Sequence, residues 1–199
     1  MRPMEPSRNE VEIKLRVVSA HDAVGRIEKL GAVLERPREL EDNLVYDLPS
    51  RALRDARQLL RLRRKGPATT LTFKSKAPGE HRHKVYVEHE TRVEDGDELH
   101  RILTALGYSP WSRNQKYRSI YCLEGLEITV DETPIGCYVE LEGEPDAIDR
   151  VADRLGYAPA DYVRATYHEL HEADAAERGV AAGDMVFAGN ETLEGPSSS

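Results

Sequence analysis

Three kinds of feature are scarce in this sequence, and each scarcity argues against a class of protein. The 199 residues include only two cysteines, Cys122 and Cys137, which are too few for a disulfide framework, so we expect both to be small buried residues. No apolar run approaches the roughly 20 residues that a membrane-spanning helix needs. The stretch from Met1 to Asn9 lacks the apolar segment of a signal peptide. We therefore expect a cytoplasmic protein without a membrane partner.

Positive charge is also in short supply, since 36 acidic residues outnumber 28 Lys and Arg and give a formal net charge of −8. The excess is concentrated near the C-terminus, where residues 172–199 hold six acids and one base. An acidic balance argues against nonspecific nucleic-acid binding, so we expect no nucleic-acid partner. It still allows a local basic pocket for an anion.

Composition divides the chain into three parts. Residues 1–8 form a short N-terminal segment, and residues 9–172 form one domain. Residues 173–199 form an acidic tail rich in Gly, Ala, Glu and Ser, and this composition predicts disorder. Monomer and homodimer both stay open at this point.

The domain alternates between polar and apolar residues at period two, which predicts strands. The alternating stretches are residues 10–15, 60–63, 70–74, 84–88, 127–131 and 138–142. Helices are predicted from Ser19 to near Gly31, and over residues 95–106, 145–155 and 164–173. Residues 131–136 form the turn of a predicted hairpin.

Successive strand residues point to opposite faces, so placing the apolar residues on one face collects the charges on the other. The charged face holds Glu10, Glu12, Lys14, Arg61, Arg63, Lys74, Lys76, Lys84, Glu88, Glu90, Lys116, Arg118, Glu127, Asp131, Glu140 and Glu142. This face is either the wet outside of an ordinary sheet or the lining of a tunnel. Helices need an apolar sheet surface to pack on, which favours an α+β fold with a closed barrel and helices outside.

Like charges two residues apart on one face repel unless an opposite charge lies between them. A divalent cation suits Glu10 with Glu12 and Glu140 with Glu142, because hard cations prefer carboxylate oxygens. A polyphosphate suits the pairs Arg61–Arg63 and Lys74–Lys76, because both side chains bind phosphate oxygens.

The stretch from Glu10 to Lys14 resembles the Glu-x-Glu-x-Lys signature of the CYTH superfamily, the triphosphate tunnel metalloenzymes. The superfamily includes class IV adenylyl cyclases, thiamine triphosphatases and inorganic triphosphatases. The resemblance runs from about residue 9 to about residue 172. It also includes residues 60–63, 71–74, 87–90, 116–118, 130–136, 140–144 and 165–170.

The resemblance implies an antiparallel barrel of about eight strands that encloses a tunnel, with Mg²⁺ or Mn²⁺ as cofactor. The implied metal ligands are Glu10, Glu12, Asp131, Glu140 and Glu142. The implied triphosphate-binding residues are Lys14, Arg61, Arg63, Lys74, Lys76, Lys116 and Arg118, of which Lys14, Lys74 and Arg118 are the expected catalytic residues. Glu88 and Glu90 would either bind a second metal or orient the bases.

Four functions remain open at the level of sequence. Hydrolysis of a small-molecule triphosphate is preferred, because the visible charges account for phosphate binding and nothing visible accounts for adenine recognition. Cyclisation of ATP to cyclic AMP is the alternative reaction in the same tunnel. The remaining two are a polyphosphate or nucleotide sensor without turnover and an interaction domain built on an ordinary sheet with one solvent-exposed face.

Overall fold

The computed structural model describes residues 8–76 and 84–189, and it describes side chains over residues 11–76 and 86–189. Within these ranges the strands are β1 (Arg8–Val17), β2 (Val33–Asp47), β3 (Gln58–Lys65), β4 (Ala68–Lys76), β5 (Lys84–Val93), β6 (Ser109–Leu123), β7 (Leu126–Thr133) and β8 (Gly136–Glu142). The α-helices are α1 (Ala20–Lys29), α2 (Ala52–Asp55), α3 (Gly96–Ala105), α4 (Pro145–Arg154) and α5 (Tyr167–Glu177). No described helix is both long and apolar enough to cross a membrane.

The strands form a closed antiparallel barrel, which confirms the predicted α+β tunnel fold. Each strand pairs with two others in the order β1-β5-β4-β3-β2-β6-β7-β8. The ring closes where β8 returns to β1, with Leu141 opposite Ile13. Closure gives the sheet an inner and an outer face, so the alternation in sequence becomes a separation between the interior and the exterior.

Apolar residues of the outer face pack against the helices. Leu15, Ile128 and Leu141 are fully buried and belong to one core with Ile27 of α1 and Ile148 of α4. A second core joins Leu44, Tyr46 and Leu62 to Leu103 of α3. Each fully buried large aliphatic side chain contributes about 1.5–3 kcal/mol to folding. The helices therefore occupy the outer face and leave the inner face to the charged residues.

Capping residues place the helices close to their predicted bounds. Ser19 accepts a hydrogen bond from the Asp22 N–H at the start of α1, and Asp95 accepts one from the Glu98 N–H at the start of α3. The last helix begins at Tyr167 rather than 164, because Val163 is extended and donates its N–H to the Lys14 carbonyl at 2.8 Å. The one-turn helix α2 was not predicted.

The sequence pattern missed β2 as a strand and identified only the part of β6 around Lys116 and Arg118. The pairing of β2 with β6 contains three register shifts. Each shift changes which residues face the interior, and so it disrupts the period-two signal. In β2 the residues from Val33 to Arg38 are also exposed, which removes the apolar half of the alternation.

Two further expectations differ from the structure. Disorder was predicted from residue 173, whereas α5 continues to Glu177 and Met185 is buried with 3% exposure. Composition alone does not reveal that a single apolar residue in an acidic stretch is buried. Residues 190–199 of the predicted tail and residues 1–7 lie outside the described ranges.

Cys122 and Cys137 are free thiols and are half-buried rather than buried.

Candidate active site

The inner face of the barrel is charged and shielded from solvent. Lys14 is 3% exposed, Asp131 is 0% exposed and Glu140 is 9% exposed. A wet outer face would leave these side chains in bulk water. Their burial therefore excludes an ordinary sheet with a solvent-exposed charged face and identifies this face as the lining of the barrel.

Asp131 is the centre of the most tightly bonded group on this lining. Its carboxylate accepts two hydrogen bonds from Arg118, each 2.6 Å, and one from Lys116 at 2.9 Å. The hydroxyl of Tyr167, the first residue of α5, donates to the same carboxylate at 2.7 Å. A helix outside the barrel thus supplies one hydrogen-bond donor to an acid inside it.

Glu140 extends this group toward β1. Lys14 Nζ lies 3.2 Å from Glu140 Oε1, and the Arg118 guanidinium donates to the other Glu140 oxygen. The Lys14 ammonium also lies 4.1 Å from the centre of the Tyr167 ring, an attractive arrangement for a cation. We call Lys14, Lys116, Arg118, Asp131 and Glu140 the Asp131 cluster.

Mutual pairing sets the protonation of the Asp131 cluster. Burial alone would raise the pKa of Asp131 and of Glu140, but the neighbouring cations outweigh it and lower both values. Burial alone would lower the pKa of Arg118, but Asp131 and Glu140 outweigh it and raise the pKa well above its usual value. Lys116 is the exception, because burial lowers its pKa to about 8 even with Asp131 beside it.

Glu41 of β2 forms a second group of charges and was not predicted. Its carboxylate is 3.4 Å from Arg63 Nε, 3.5 Å from Lys65 Nζ and 3.9 Å from Lys116 Nζ. Asn43 accepts a further bond from Arg63 Nε at 2.9 Å. The alternation of charged and apolar residues from Glu39 to Glu41 was the available signal.

The wall formed by β3, β4 and β5 carries the remaining predicted bases. Lys74 pairs with Glu88, and Arg61 donates to the Thr72 hydroxyl at 3.3 Å. Thr72 in turn donates to Glu90 at 2.9 Å. The other side of Arg61 differs, because its Nε is buried and has no hydrogen-bond partner among the described residues. Burial lowers the pKa of Arg61 to about 10.

Acids dominate where β1, β8 and β7 adjoin. Glu12 lies directly opposite Glu142, and Glu142 lies directly opposite Glu127 on its other side. Three neighbouring carboxylates of this kind match the oxygen ligands that Mg²⁺ and Mn²⁺ prefer. Among the described side chains, no three His, Cys, Asp or Glu residues are already grouped closely enough to hold a metal.

Two predicted residues stand apart from these groups. Glu10 lies on β1 opposite Tyr86, and its side chain is outside the described set. Lys76, also opposite Tyr86, is the last residue of β4 and is exposed. The other predicted residues with described side chains line the barrel. Sequence reasoning missed four of their direct partners as site residues, Glu41, Asn43, Thr72 and Tyr167. It also missed Lys65, which pairs with Glu41.

The Glu41 group gives a pH-dependent prediction. Burial alone would raise the pKa of Glu41, but Lys116 and Arg63 outweigh it and lower the pKa from 4.5 to about 2. A depressed folded-state pKa stabilises the fold above pH 4.5, and this contribution is lost as the pH falls toward 2. Glu41→Gln should therefore lower the free energy of unfolding by about 3 kcal/mol near pH 7, with a diminishing difference on acidification.

Urea unfolding of both proteins between pH 2 and pH 7 measures this difference. Glu39→Gln is the control, because Glu39 is on the same strand and its side chain is 45% exposed. Its effect should remain below about 1 kcal/mol at every pH. A Glu41→Gln difference that is the same at pH 3 and pH 7 would contradict the prediction.

Known proteins are similar to this chain over most of its length. A Methanocaldococcus jannaschii protein, named as a candidate adenylate cyclase, is 26% identical over 172 residues, which cover 81% of this chain and 97% of the relative. A Pyrococcus horikoshii structure is 26% identical with a TM-score of 0.68, covering 81% of this chain and 98% of its own.

A more distant structure shares the fold alone. It is that of a Hippeastrum protein, a candidate adenylyl cyclase with a dominant triphosphatase activity. It is 18% identical with a TM-score of 0.60, and the match covers 86% of this chain and 96% of the other. The model of the CYTH domain matches residues 8–167, which span all eight described strands and the first residue of α5. The chain therefore belongs to the CYTH domain family.

Proposed function

We propose that this protein binds a triphosphate inside its barrel and hydrolyses the terminal phosphoanhydride bond in the presence of Mg²⁺ or Mn²⁺. The observation that carries the proposal is the concentration of buried and half-buried bases on the inner face, with an acidic region beside them. Burying this many charges is costly without a ligand that uses them. A triphosphate with a divalent cation has the complementary charge pattern.

The proposed phosphate-binding residues are Lys14, Arg61, Arg63, Lys74, Lys76, Lys116 and Arg118. Arg61 is the strongest candidate for direct contact, because its buried Nε has no hydrogen-bond partner among the described residues. Lys14, Lys74 and Arg118 are proposed to stabilise the charge that develops during transfer. Lys76 is exposed and would act at the rim of the site.

The cation is proposed to bind Glu10, Glu12, Glu140 and Glu142. When bound, it would supply charge neutralisation to the phosphate oxygens. Asp131 belonged to the predicted metal set, but its oxygens already accept four hydrogen bonds. We therefore assign Asp131 to holding Arg118 and Lys116 in position.

Glu88 and Glu90 were predicted to bind a second metal or to orient the bases. The ion pair between Glu88 and Lys74 supports the orienting role. Glu90 supports it as well, because it accepts a hydrogen bond from Thr72, which accepts one from Arg61. These two acids would hold the bases of β3 and β4 toward the ligand.

The proposed reaction is an in-line displacement at the terminal phosphorus. A water oxygen forms the new P–O bond while the bond from phosphorus to the bridging oxygen breaks. The bond's electron pair leaves on the shortened phosphate chain, and the water loses its proton to solvent. Phosphoryl transfer requires positioning and neutralised charge above all, which fixed buried bases provide.

Cyclisation of ATP to cyclic AMP and pyrophosphate is the second candidate, favoured by the name of the Methanocaldococcus jannaschii relative. The dominant triphosphatase activity of the Hippeastrum protein favours triphosphate hydrolysis instead. Both reactions use a bound triphosphate and differ in which phosphorus is attacked. Analysis of the products therefore separates them.

The test offers tripolyphosphate, thiamine triphosphate and ATP to the purified protein with Mg²⁺, Mn²⁺ or EDTA. We expect orthophosphate from at least one substrate, and none in EDTA. Arg61→Ala should lower kcat/KM by at least about tenfold through loss of a phosphate contact. Arg64→Ala is the matched control, because Arg64 lies three residues after Arg61 on β3 and pairs with Asp97 outside the barrel.

Each product pattern decides between the functions. Cyclic AMP with pyrophosphate would select cyclisation in place of hydrolysis. Binding of a triphosphate without any product would select the sensor. Equal losses of activity in Arg61→Ala and Arg64→Ala would rule out the barrel interior as the triphosphate-binding site.

A further inference from the structure

The segment of residues 183–187, which we call the strap, lies beyond the family match and is docked on β6 by several bonds. Met185 forms a parallel bridge with Asn114, donating its N–H to the Arg113 carbonyl at 3.0 Å and accepting from the Gln115 N–H at 2.8 Å. The Asp184 carboxylate accepts from the Arg113 N–H at 2.9 Å.

Side chains reinforce this docking. Met185 is 3% exposed, and the Phe187 ring lies 5.1 Å from the Tyr117 ring. The Phe187 N–H donates to the Gln115 side chain at 3.3 Å. The strap is thus fixed through both its backbone and its side chains, as an ordered part of the sheet would be.

The strap occupies a position that β7 leaves open. The pairing of β6 with β7 begins at Tyr117, opposite Glu132. Before Tyr117, β6 is paired with β2 on one side, and the strap bonds to it on the other. The bonded residues Arg113 and Gln115 lie three residues and one residue before Lys116, and Arg118 lies two residues after it. The strap therefore supports the part of β6 that leads into the Asp131 cluster.

The strap also contacts α5. His171 is buried, and its Nε2 lies 3.0 Å from the Gly183 carbonyl. A carbonyl can only accept, so the ring donates from Nε2. One turn earlier on α5, Tyr167 donates to Asp131. The strap thus bonds to both elements that place hydrogen-bond donors on Asp131.

We propose that the strap is a positioning element of the triphosphate site, which fixes α5 against β6 and thereby sets the geometry of Tyr167, Lys116 and Arg118 around Asp131. The inference rests on the proposed function. The contacts described above join the strap to the backbone of β6 and to α5, so its role is to orient through these two elements. Misplacing a reacting group by about 1 Å can cost about 100-fold in rate.

The test compares Met185→Ser with Val180→Ser in the full chain. Val180 is an apolar residue of the same C-terminal region and is 53% exposed. We expect Met185→Ser to lower kcat/KM for tripolyphosphate with Mg²⁺ by between about 10- and 100-fold, mainly through kcat. Val180→Ser should remain within about twofold of wild type, and Met185→Leu should restore most of the activity because it keeps the buried volume.

Fluorescence provides a readout at the seam between α5 and β6. Trp111 is the only tryptophan in the sequence, lies on β6 and contacts the His168 ring of α5 at 4.5 Å. Its emission should shift in Met185→Ser and remain unchanged in Val180→Ser. Ile148→Val, in the outer core at α4, separates stability from positioning: it should lower the melting temperature and leave both kcat/KM and emission unchanged.

The outcomes separate the strap from the proposed function. A folded Met185→Ser protein with kcat/KM within twofold of wild type would overturn the role of the strap alone. If Met185→Ser fails to fold, Asp184→Ala decides, because Asp184 is exposed and its substitution removes only the hydrogen bond to the Arg113 N–H. A decrease of at least about threefold in kcat/KM would support the role of the strap, and an unchanged kcat/KM would overturn it. A wild-type protein that hydrolyses no triphosphate would overturn the proposed function, and this role with it.

Discussion

Arg118→Ala is expected to lower kcat/KM for the preferred triphosphate by about 100- to 1,000-fold, the range observed when one donor to a developing charge is removed. The Arg118 side chain lies inside the barrel, is only 11% exposed and contacts both Asp131 and Glu140. Its removal also leaves two acids with fewer counter-charges. We therefore expect a loss of about 3–5 kcal/mol in the free energy of unfolding as well.

Steady-state kinetics and urea unfolding, measured on the same preparations, separate the two effects. Arg118→Lys keeps the charge but cannot form the bidentate contact with Asp131. We therefore expect it to be more stable than Arg118→Ala, with a kcat/KM that remains low. Arg38→Ala is the control, because Arg38 pairs with Glu132 at an exposed position. A folded Arg118→Ala protein with wild-type kcat/KM would refute the assignment of Arg118 to catalysis.

Asp131→Asn should have the second large effect, a loss of about 3–5 kcal/mol in the free energy of unfolding. The carboxylate is fully buried and accepts bonds from Arg118, Lys116 and Tyr167. An amide of the same shape removes the charge that compensates two buried cations. Glu132→Gln is the matched control, since it is the next residue of β7, faces outward and should cost less than about 1 kcal/mol.

A Mg²⁺ titration of stability distinguishes the two roles considered for Asp131. If Asp131 holds the bases, Asp131→Asn should still be stabilised by Mg²⁺, whereas Glu12→Gln should lose that stabilisation, because only the folded protein offers the acidic region. Loss of the Mg²⁺ effect in Asp131→Asn, with retention in Glu12→Gln, would return Asp131 to the metal set. The midpoint of thermal unfolding at increasing Mg²⁺ gives the comparison.

Much of the barrel was predictable because its alternation is local. In β1 the acids Glu10 and Glu12 alternate with apolar residues that face the helices, and β3, β4, β7 and β8 follow the same rule. The helix starts at Ser19 and Asp95 were predictable for a similar reason, since a cap is fixed by residues three positions away. Period and capping therefore identified most of the inner face and most of the helices.

The partners of each charge were not predictable, because they depend on register between strands that are far apart in sequence. Glu41 contacts Arg63 and Lys116 only because of the register in which β2 pairs with β3 and β6. The three register shifts in β2 hide that outcome from any count of period two. Tyr167 reaches Asp131 only because α5 folds back over the barrel.

The position of β1 in the ring has a consequence for how the protein folds. The barrel closes when the first strand of the chain joins the last, β8, and the same step brings Lys14 against Glu140. Loop closure over almost the whole domain is entropically costly, so closure should be a late and slow event. Until it occurs, the lysine and the glutamate stay hydrated, and the final step must remove water from the ions as well as join the strands. Conditions that strengthen ion hydration should therefore slow the last phase of folding more than the early collapse of the outer apolar cores.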